Sequence, residues 1–408
     1  MPKGPEYRWV ILAAAIAAMS SYAVLYFGLS SLGPAISADL DVNEGHLGLI
    51  LSAPLAGMAV AILGWAELVD RFGERPVLAV GLTGAGLSIL AAGTAADAAT
   101  LAGLLFLSGL FGGASLYGLR AIAAWFPPPR RGLAISSGQA SIMLGSALGA
   151  AILPTLADDL PLDEAFLLVG GICLAAAVAS GVFLRSTPEE VARRAAPRES
   201  GGPGRLSVLR DRRIPGASLA GALVQLPSTA LLSFAPLLLV TQSGESPAAA
   251  GGVVSVALVM AAAVRPVAGW VSDRPPGRLV TMLVLAAGTA VALLGLAVAS
   301  ESGTALTAAL VVVAMMIGFA GNGVSAAAVS DFAPPGMIGH ALSIRLISYM
   351  VANTIGPALL GVLISTFDGY AIPLALMAVP PICACALLAV MTLRMRSGHG
   401  DSAPAPAG

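Results

Sequence analysis

A short charged segment occurs twice in this chain of 408 residues, each time directly after a long apolar run. The first copy spans Asp70 to Arg75, with the sequence DRFGER, and the second spans Asp273 to Arg278, with the sequence DRPPGR. A second pair of similar segments, 131–136 and 338–343, follows a Phe and two prolines in each case. Repetition at a fixed offset indicates internal duplication. The chain is therefore predicted to fold as two halves of the same architecture.

The apolar runs between these segments are long enough to cross a lipid bilayer. Hydrophobic residues make up 57% of the chain and charged residues only 11%, whereas a soluble domain carries about 25% charged residues. A membrane-spanning helix needs about 20 apolar residues, and a β-barrel would instead show short alternating strands. The sequence predicts an all-α membrane protein with 12 transmembrane helices. The predicted spans are 9–36, 45–66, 76–96, 99–126, 132–156, 162–184, 216–240, 249–271, 279–299, 304–330, 341–366 and 370–393.

The basic residues fall on one side of this map. All Lys and Arg residues except Arg120, Arg265 and Arg345 lie outside the predicted spans, in the termini or in the loops that follow the even-numbered helices. By the positive-inside rule, these loops and both termini are cytoplasmic. We therefore expect a multi-pass protein of the cell inner (cytoplasmic) membrane.

The hydrophilic segment 185–215 divides the chain. It is rich in Arg, Gly and Pro and is predicted to be a basic cytoplasmic linker, although its Arg residues also suit anionic lipid headgroups. The linker joins an N-terminal six-helix bundle, 1–184, to a C-terminal six-helix bundle, 216–396. The tail 397–408, rich in Ala, Pro and Gly, is predicted to be disordered.

These features resemble those of the major facilitator superfamily. The repeated loop, the central linker and the twelve-span topology cover nearly the whole chain, with Ala66 standing where the family's loop motif usually has glycine. The segments 265–269 (RPVAG) and 130–134 (RRGLA) are similar to the monocarboxylate and oxalate/formate porter branch. The resemblance implies the major facilitator fold, in which two bundles alternate the access to a central site.

The acidic loops are candidate parts of a gate. A carboxylate on one bundle can face a helix N-terminus of the other, where unpaired N–H groups carry a partial positive charge. In the resembling family this pairing closes the inner gate, which would bring Asp70 near Gly339 and Asp273 near Gly132. The alternative is that both loops only end helices and mark topology. The candidate gating residues are Asp70, Arg71, Gly73, Asp273 and Arg274.

Three arginines, Arg120, Arg265 and Arg345, lie inside predicted spans. A charge there costs at least ~2.5 kcal/mol by insertion scales, which makes each one a candidate functional group. All three lie near the cytoplasmic boundary, so snorkelling or structural pairing is an alternative, above all for Arg120. The resemblance implies a substrate-binding role for Arg265, and a guanidinium pairs bidentately with a carboxylate. We predict that Arg265, assisted by Arg345, holds an organic anion.

The eleventh predicted helix carries polar residues along one face. Arg345, Tyr349 and Asn353 recur there at helical spacing. We predict that this face lines a central substrate cavity, although hydrogen bonds between helices would explain individual members as well. The other helices contribute the candidate binding residues Tyr22, Tyr26, Gln139, Gln225 and Asn322.

The residue types also exclude several functions. No Asp or Glu lies near the middle of a span, and Ala261 stands where the resembling branch often has an acid. Proton symport is therefore disfavoured, which leaves anion exchange, facilitated diffusion or coupling through Glu67 or Asp331. The few Cys and His residues form no metal-binding pattern, and no phosphate-binding loop occurs. We expect no enzymatic activity, no cofactor and no metal.

The sequence thus predicts a secondary active or facilitative transporter of a mono- or dicarboxylate. The expected partners are a small anionic substrate and the lipid bilayer, not nucleic acid, and we expect a monomer. Two alternatives stay open. One is an efflux antiporter for hydrophobic drugs, in which the arginines are structural, and the other is a membrane sensor that keeps the fold but transports nothing.

Overall fold

The computed structural model describes residues 6–159, 161–187, 211–300, 305–334, 337–367 and 369–400. Within these ranges the chain is helical without any strand, and twelve helical segments are long and apolar enough to cross a membrane. The prediction of an all-α membrane protein with twelve spans is confirmed. Most of the predicted linker, and the tail beyond Gly400, lie outside the described residues.

Each half of the chain supplies six spans. The first half contains α1 (Tyr7–Gly28), α2 (Gly33–Asp39), α3 (Glu44–Phe72), α4 (Glu74–Ala92), α5 (Ala98–Gly112), α6 (Gly118–Trp125), α7 (Pro128–Asp159) and α8 (Leu162–Phe183). The second half contains α9 (Arg213–Ser243), α10 (Pro247–Ser272), α11 (Arg278–Ala299), α12 (Ala305–Phe332), α13 (Ile338–Phe367), α14 (Ala371–Met377) and α15 (Val379–Gly400).

Three spans that the sequence predicts as continuous are interrupted. A 3₁₀ turn at Leu29–Leu32 joins α1 to α2, another at Gly113–Tyr117 joins α5 to α6, and α14 and α15 together form the last span. Glycines flank both 3₁₀ turns, and glycine weakens the preference for a regular α-helix. A 3₁₀ turn keeps the backbone hydrogen-bonded inside the membrane while it changes the helix geometry.

Several helix ends also differ from the prediction, among them the end of α3, which lies at Phe72 and not at residue 66. Helix α9 begins at Arg213, somewhat earlier than the predicted start of the span at residue 216. Helix α15 continues to Gly400, so its last turn enters the tail that the sequence predicts to be disordered. Apolar periodicity locates the membrane-crossing part of a helix, whereas the polar turns beyond it carry no such signal.

Side-chain caps begin several helices at one end of the bundle, which we call the capped end. Asn43 accepts a hydrogen bond from the His46 N–H at 2.9 Å before α3, and Ser246 caps α10 in the same way. Before α5, Asp97 accepts from the Thr100 N–H at 2.9 Å and from its hydroxyl at 2.7 Å. These bonds lower the pKa of the Asp97 carboxyl. They satisfy N–H groups that a helix start leaves unpaired.

The repeated charged segments lie at the opposite end, which we call the loop end. Gly73 separates α3 from α4 with φ +90°, and Gly277 precedes α11 with φ +96°. Only glycine adopts this backbone region without strain. The two copies of the charged segment therefore share a glycine backbone conformation as well as a charge pattern.

The two halves pack against each other at the capped end. A Cβ at Gly48, near the start of α3, would lie 2.7 Å from the carbonyl oxygen of Pro357 in α13. A Cβ at Gly361 of α13 would lie even closer to the Glu44 carbonyl oxygen, and so would a Cβ at Gly251 of α10 to the Ala150 carbonyl oxygen of α7. Small residues allow helix backbones to approach in this way. These contacts hold the halves together on the side away from the charged loops.

Large apolar side chains cover the outside of the bundle. Val298 is 84% exposed, Val291 69% and Val60 67%, all within membrane-length helices. An apolar surface of this extent indicates contact with lipid. The molecule is thus a multi-pass membrane protein.

Candidate functional site

A cavity of about 150 Å³ lies between the two halves. Helices α1, α3 and α7 and the 3₁₀ turn before α6 line it from the first half, and α9, α10, α12 and α13 line it from the second half. The polar side chains on its wall are Tyr22, Tyr26, Ser115, Gln139, Gln225, Arg265, Asn322 and Asn353.

The structure brings most of the predicted binding residues to this cavity. Tyr22, Tyr26, Gln139, Gln225, Arg265, Asn322 and Asn353 all line it. Arg345 and Tyr349 are not among the described lining residues. They lie behind the wall, where Arg345 is 8% exposed and Tyr349 4%.

The backbone of α12 holds Arg265 on the cavity wall. Its Nε donates a hydrogen bond to the carbonyl oxygen of Phe319 at 3.1 Å. Among the described residues, no other hydrogen bond or ion pair to Arg265 is recorded. Its two terminal nitrogens therefore retain donors for a ligand, in the planar fork that matches a carboxylate.

Arg345 makes all its recorded contacts within the second half. Its Nε donates to Ser325 Oγ at 3.2 Å, and its Nη2 donates to the Asn322 backbone carbonyl at 2.6 Å and to the Asn322 side-chain oxygen. The guanidinium also lies over the Tyr349 ring, 4.1 Å from its centroid. Arg345 is close enough to Arg265 for electrostatic interaction. Its charge thus acts on the site although its side chain does not line it.

A polar network closes another part of the wall. Gln225 Nε2 donates to Asn353 Oδ1 at 2.9 Å and to Thr229 Oγ1 at 3.1 Å, and Thr229 Oγ1 donates to the same Asn353 oxygen at 2.8 Å. Tyr26 of the first half lies close to Asn353 of the second half. The two halves therefore meet at the cavity itself.

The charge of the cavity is positive. No Asp or Glu stands among the described residues that line it, and Arg265 is the charged residue on its wall. The nearby guanidinium of Arg345 adds to the positive potential. In the low-dielectric interior of a membrane protein, such a site attracts an anion.

The rest of the cavity lining is apolar and includes four methionines and a phenylalanine, which the sequence patterns did not single out. They are Met19, Met58, Met143, Met350 and Phe319. Within an apolar helix, a methionine that faces a cavity looks the same in sequence as one that faces lipid. Only the packing of neighbouring helices distinguishes the two.

An ion cluster holds the first charged loop. Arg120 Nη1 lies 2.5 Å from Asp70 Oδ1, and Arg120 Nε lies 3.1 Å from Glu74 Oε1. Glu74 is 3% exposed, so a buried carboxylate contributes to this cluster. Arg120 is therefore paired inside its own half, which is the structural alternative that the sequence left open for it.

The second charged loop carries the corresponding cluster with the charges exchanged. Arg278 of the loop lies 3.3 Å from Asp273 Oδ1 and 2.8 Å from Asp331 Oδ2 of α12. In the first half the loop supplies the acids and a helix supplies the cation, whereas here the loop supplies the cation and a helix supplies an acid. Both clusters tie a loop to a helix of the same half.

The remaining candidate gating residues contact aromatic side chains or fix the backbone. Arg71 lies over the Phe72 ring at 5.4 Å, and Arg274 lies over the Trp270 ring at 3.3 Å. The side chains at the starts of α7 and α13, where the latch partners Gly132 and Gly339 lie, are outside the described residues. A latch between the halves stays a prediction.

No group of three or more His, Cys, Asp or Glu residues within the described ranges could hold a metal ion. Cys383 is exposed, Cys173 is buried, and both are free thiols.

Comparison with known proteins places these features in a family. The model of the Major Facilitator Superfamily matches residues 10–344 and 218–408. An uncharacterized MFS-type transporter of Mycobacterium tuberculosis (strain CDC 1551 / Oshkosh) is 31% identical over 393 residues, which are 96% of this chain and 87% of that protein. The probable nitrate/nitrite transporter NarK2 of the same strain is 27% identical over 370 residues, 89% of this chain and 91% of that protein.

A solved structure shows the same fold. The crystal structure of a bacterial homolog of the human lysosomal transporter Spinster, inward-facing and unoccupied, superposes with a TM-score of 0.80 at 17% identity. The match covers 99% of this chain and all of the other. By its family match and its full-length relatives, this chain is a transporter of the major facilitator superfamily and not an enzyme.

Proposed function

We propose that this transporter moves a small organic anion across the cytoplasmic membrane, with Arg265 binding the carboxylate. The observation that carries the proposal is the position of Arg265 on the wall of a cavity between the halves, with its terminal nitrogens uncommitted. A bidentate guanidinium–carboxylate pair is among the strongest hydrogen-bonded contacts in proteins. Full-length similarity to a probable nitrate/nitrite transporter supports an anionic substrate.

A monocarboxylate fits the site better than a dicarboxylate. One guanidinium lines the cavity, since Arg345 is engaged by Asn322, Ser325 and Tyr349. The similarity of the segment 265–269 to the monocarboxylate and oxalate/formate branch supports the same choice. A second carboxylate would lie against apolar side chains without a countercharge, which is costly.

The apolar lining indicates the shape of the rest of the substrate. Met19, Met58, Met143 and Met350 surround the cavity together with Phe319 and two tyrosines. Methionine side chains adapt to irregular shapes and pack well on aromatic rings. We propose a substrate with one carboxylate and a compact apolar or aromatic body.

The size of the cavity separates this proposal from drug efflux. Pockets for drug-sized molecules measure roughly 300–1,000 Å³, and this cavity measures about 150 Å³. A neutral drug would also leave the Arg265 guanidinium without a countercharge in the membrane interior. We therefore favour a small anion over a hydrophobic drug.

We propose that transport follows alternating access. The contacts at Gly48, Gly251 and Gly361 close the capped end, and by the charge distribution that end faces outward. Both termini are then cytoplasmic, and the bundles 1–184 and 216–396, joined by the linker 185–215, rock about the central site as a monomer in the inner membrane.

Uptake into liposomes tests the proposal. The purified protein is reconstituted, and the uptake of labelled acetate, benzoate and succinate is measured. The affinity of the protein for each compound is measured in parallel. Arg265→Ala should weaken binding by ~2–5 kcal/mol, the range for removing one member of a buried charged pair. Arg265→Lys should bind weakly because it keeps the charge but loses the fork.

Arg213→Ala is the matched control, because it removes one exposed arginine that pairs with Asp211 away from the cavity. Uptake that survives Arg265→Ala with unchanged affinity contradicts the proposed site. Binding of a carboxylate without any flux would show a sensor, and export of hydrophobic drugs without carboxylate flux would show an efflux pump.

A further inference from the structure

The contact between Arg345 and Asn322 fixes the orientation of a carboxamide on the cavity wall. Arg345 Nη2 donates to both the backbone and the side-chain oxygen of Asn322. A guanidinium has five N–H donors and no acceptor, so the atom of the amide that faces it is the oxygen. The Asn322 NH₂ group is therefore turned away from Arg345.

Asn322 itself lines the cavity, whereas Arg345 is not among the described lining residues. Among the described residues, no hydrogen bond from the Asn322 amide nitrogen is recorded. Phe319, whose carbonyl anchors Arg265, lies one helical turn before Asn322 in α12. Residues at this spacing share a helix face. The Arg265 guanidinium and the Asn322 amide thus belong to the same wall.

We infer that Asn322 donates a hydrogen bond to the anion that Arg265 binds, and that Arg345 is a positioning residue that acts through Asn322. This inference rests on the proposed function. Because Arg345 occupies the side-chain oxygen of Asn322, the substrate meets only the N–H donors of this amide. Such donors suit a carboxylate and disfavour a substrate group that must itself donate. Arg345 is not a direct ligand in this arrangement.

The same principle applies to Asn353, whose side-chain oxygen already accepts bonds from Gln225 and Thr229. Protein donors occupy the oxygens of both asparagines on the wall. Neither asparagine oxygen is therefore free to accept a hydrogen bond from a ligand. A carboxylate, which only accepts when ionised, matches this pattern.

The test measures KM, kcat and thermal stability of the reconstituted protein with labelled benzoate. Asn322→Ala should raise KM roughly 10- to 100-fold, the effect of losing a hydrogen bond to a charged group, with a smaller change in kcat. Asn322→Asp keeps the size of the side chain and the contact with Arg345. It should impair binding at least as much, because it replaces the donor by a negative charge.

A double-mutant cycle distinguishes positioning from direct binding. Arg345→Ala should raise KM at least as much as Asn322→Ala does, because it also removes a positive charge near Arg265. If Arg345 acts mainly through Asn322, adding Arg345→Ala to Asn322→Ala should raise KM much less than Arg345→Ala does alone. Arg345→Lys should rescue KM only partly, because an ammonium lacks the fork that reaches both Asn322 oxygens. Ser330→Ala is the control. It removes a polar group of α12 whose hydroxyl donates to the Ala326 carbonyl within the same helix.

Multiplicative effects of Arg345→Ala and Asn322→Ala on KM would overturn the positioning role and show that Arg345 acts independently. If the Arg345 variants do not fold, the two Asn322 variants decide, since unchanged KM in both removes Asn322 from the site. Loss of binding in Arg265→Ala with unchanged KM in the Asn322 variants contradicts this inference alone. Unchanged benzoate binding in Arg265→Ala contradicts the proposed function as well.

Discussion

Arg120 Nη1 lies 2.5 Å from Asp70 Oδ1, and both residues belong to the first half of the molecule. The charged loop is therefore tied to a helix of its own bundle in the conformation whose capped end is closed. A carboxylate that changes partners between conformations is a suitable switch, because the ion pair given up in one state is replaced in the other. The exchanged charges of the Asp273, Arg278 and Asp331 cluster give the second loop the same capacity.

Neutralising either loop carboxylate should alter the conformational equilibrium more than substrate binding. Asp70→Asn removes the ion pair between the loop and Arg120, and Asp273→Asn removes the pair with Arg278 inside the same loop. Each variant also removes the expected attraction to a helix N-terminus of the opposite half. We expect slower exchange, with a largely unchanged Kd for the substrate. Spin labels across the loop end would report the change as a shift in the distance distribution.

Asp163→Asn is the control for these variants, because Asp163 is an exposed acid at the start of α8, away from both loops. It should change neither the distances nor the exchange rate. Unchanged distances in both loop variants would reduce the repeated motif to a marker of topology.

Gly73→Ala should destabilise the protein through the backbone alone. Gly73 has φ +90° and ψ 170°, a region that is nearly restricted to glycine. Forcing a side chain into it costs ~1–3 kcal/mol. Thermal unfolding in detergent should show a lower Tm.

Gly64→Ala is the control, because Gly64 lies in α3, the helix that ends directly before Gly73. Gly64 lies inside α3, and a Cβ built there has no atom within 4 Å. Alanine is favoured over glycine in a helix by up to ~1 kcal/mol, so Tm should stay the same or rise. A lower Tm in Gly64→Ala than in Gly73→Ala would contradict the explanation by backbone strain.

Reporter fusions should read the central linker and the C-terminal end as cytoplasmic. Fusions after Arg198 and after Arg396 follow even-numbered spans, whereas a fusion after Gly244 lies at the capped end. The positive-inside rule places the first two inside and the third outside. An external reading after Arg198 would require a different arrangement of spans.

The sequence predicts the number of spans well because each span is a separate stretch of apolar residues. It does not predict the 3₁₀ turns at Leu29–Leu32 and Gly113–Tyr117. Both lie inside predicted spans, and hydropathy does not distinguish a 3₁₀ turn from an α-helical turn.

Helical periodicity predicts the face of a helix on which a residue lies, and Tyr26, Gln225 and Asn353, which it helped to select, line one cavity. It does not predict whether a residue reaches the cavity surface or lies behind it. Arg345 and Tyr349 share the polar face of α13, yet α12 covers Arg345 through Asn322 and Ser325. The packing of two helices, which no single-helix pattern contains, separates a wall residue from one behind it.

Substrate affinity should depend little on pH between about 6 and 8. The described lining of the cavity contains Arg265 but no His, Asp or Glu, and an arginine stays protonated throughout this range. Benzoate is fully ionised in this range. Histidine is the residue type that titrates between these pH values, and the described lining contains none. The Kd should therefore change by less than about twofold. Isothermal titration at several pH values measures this, and His340→Gln, at the start of α13 outside the cavity, should give the same profile. A tenfold change in Kd across this interval would show that a titratable group outside the cavity wall is coupled to the anion site.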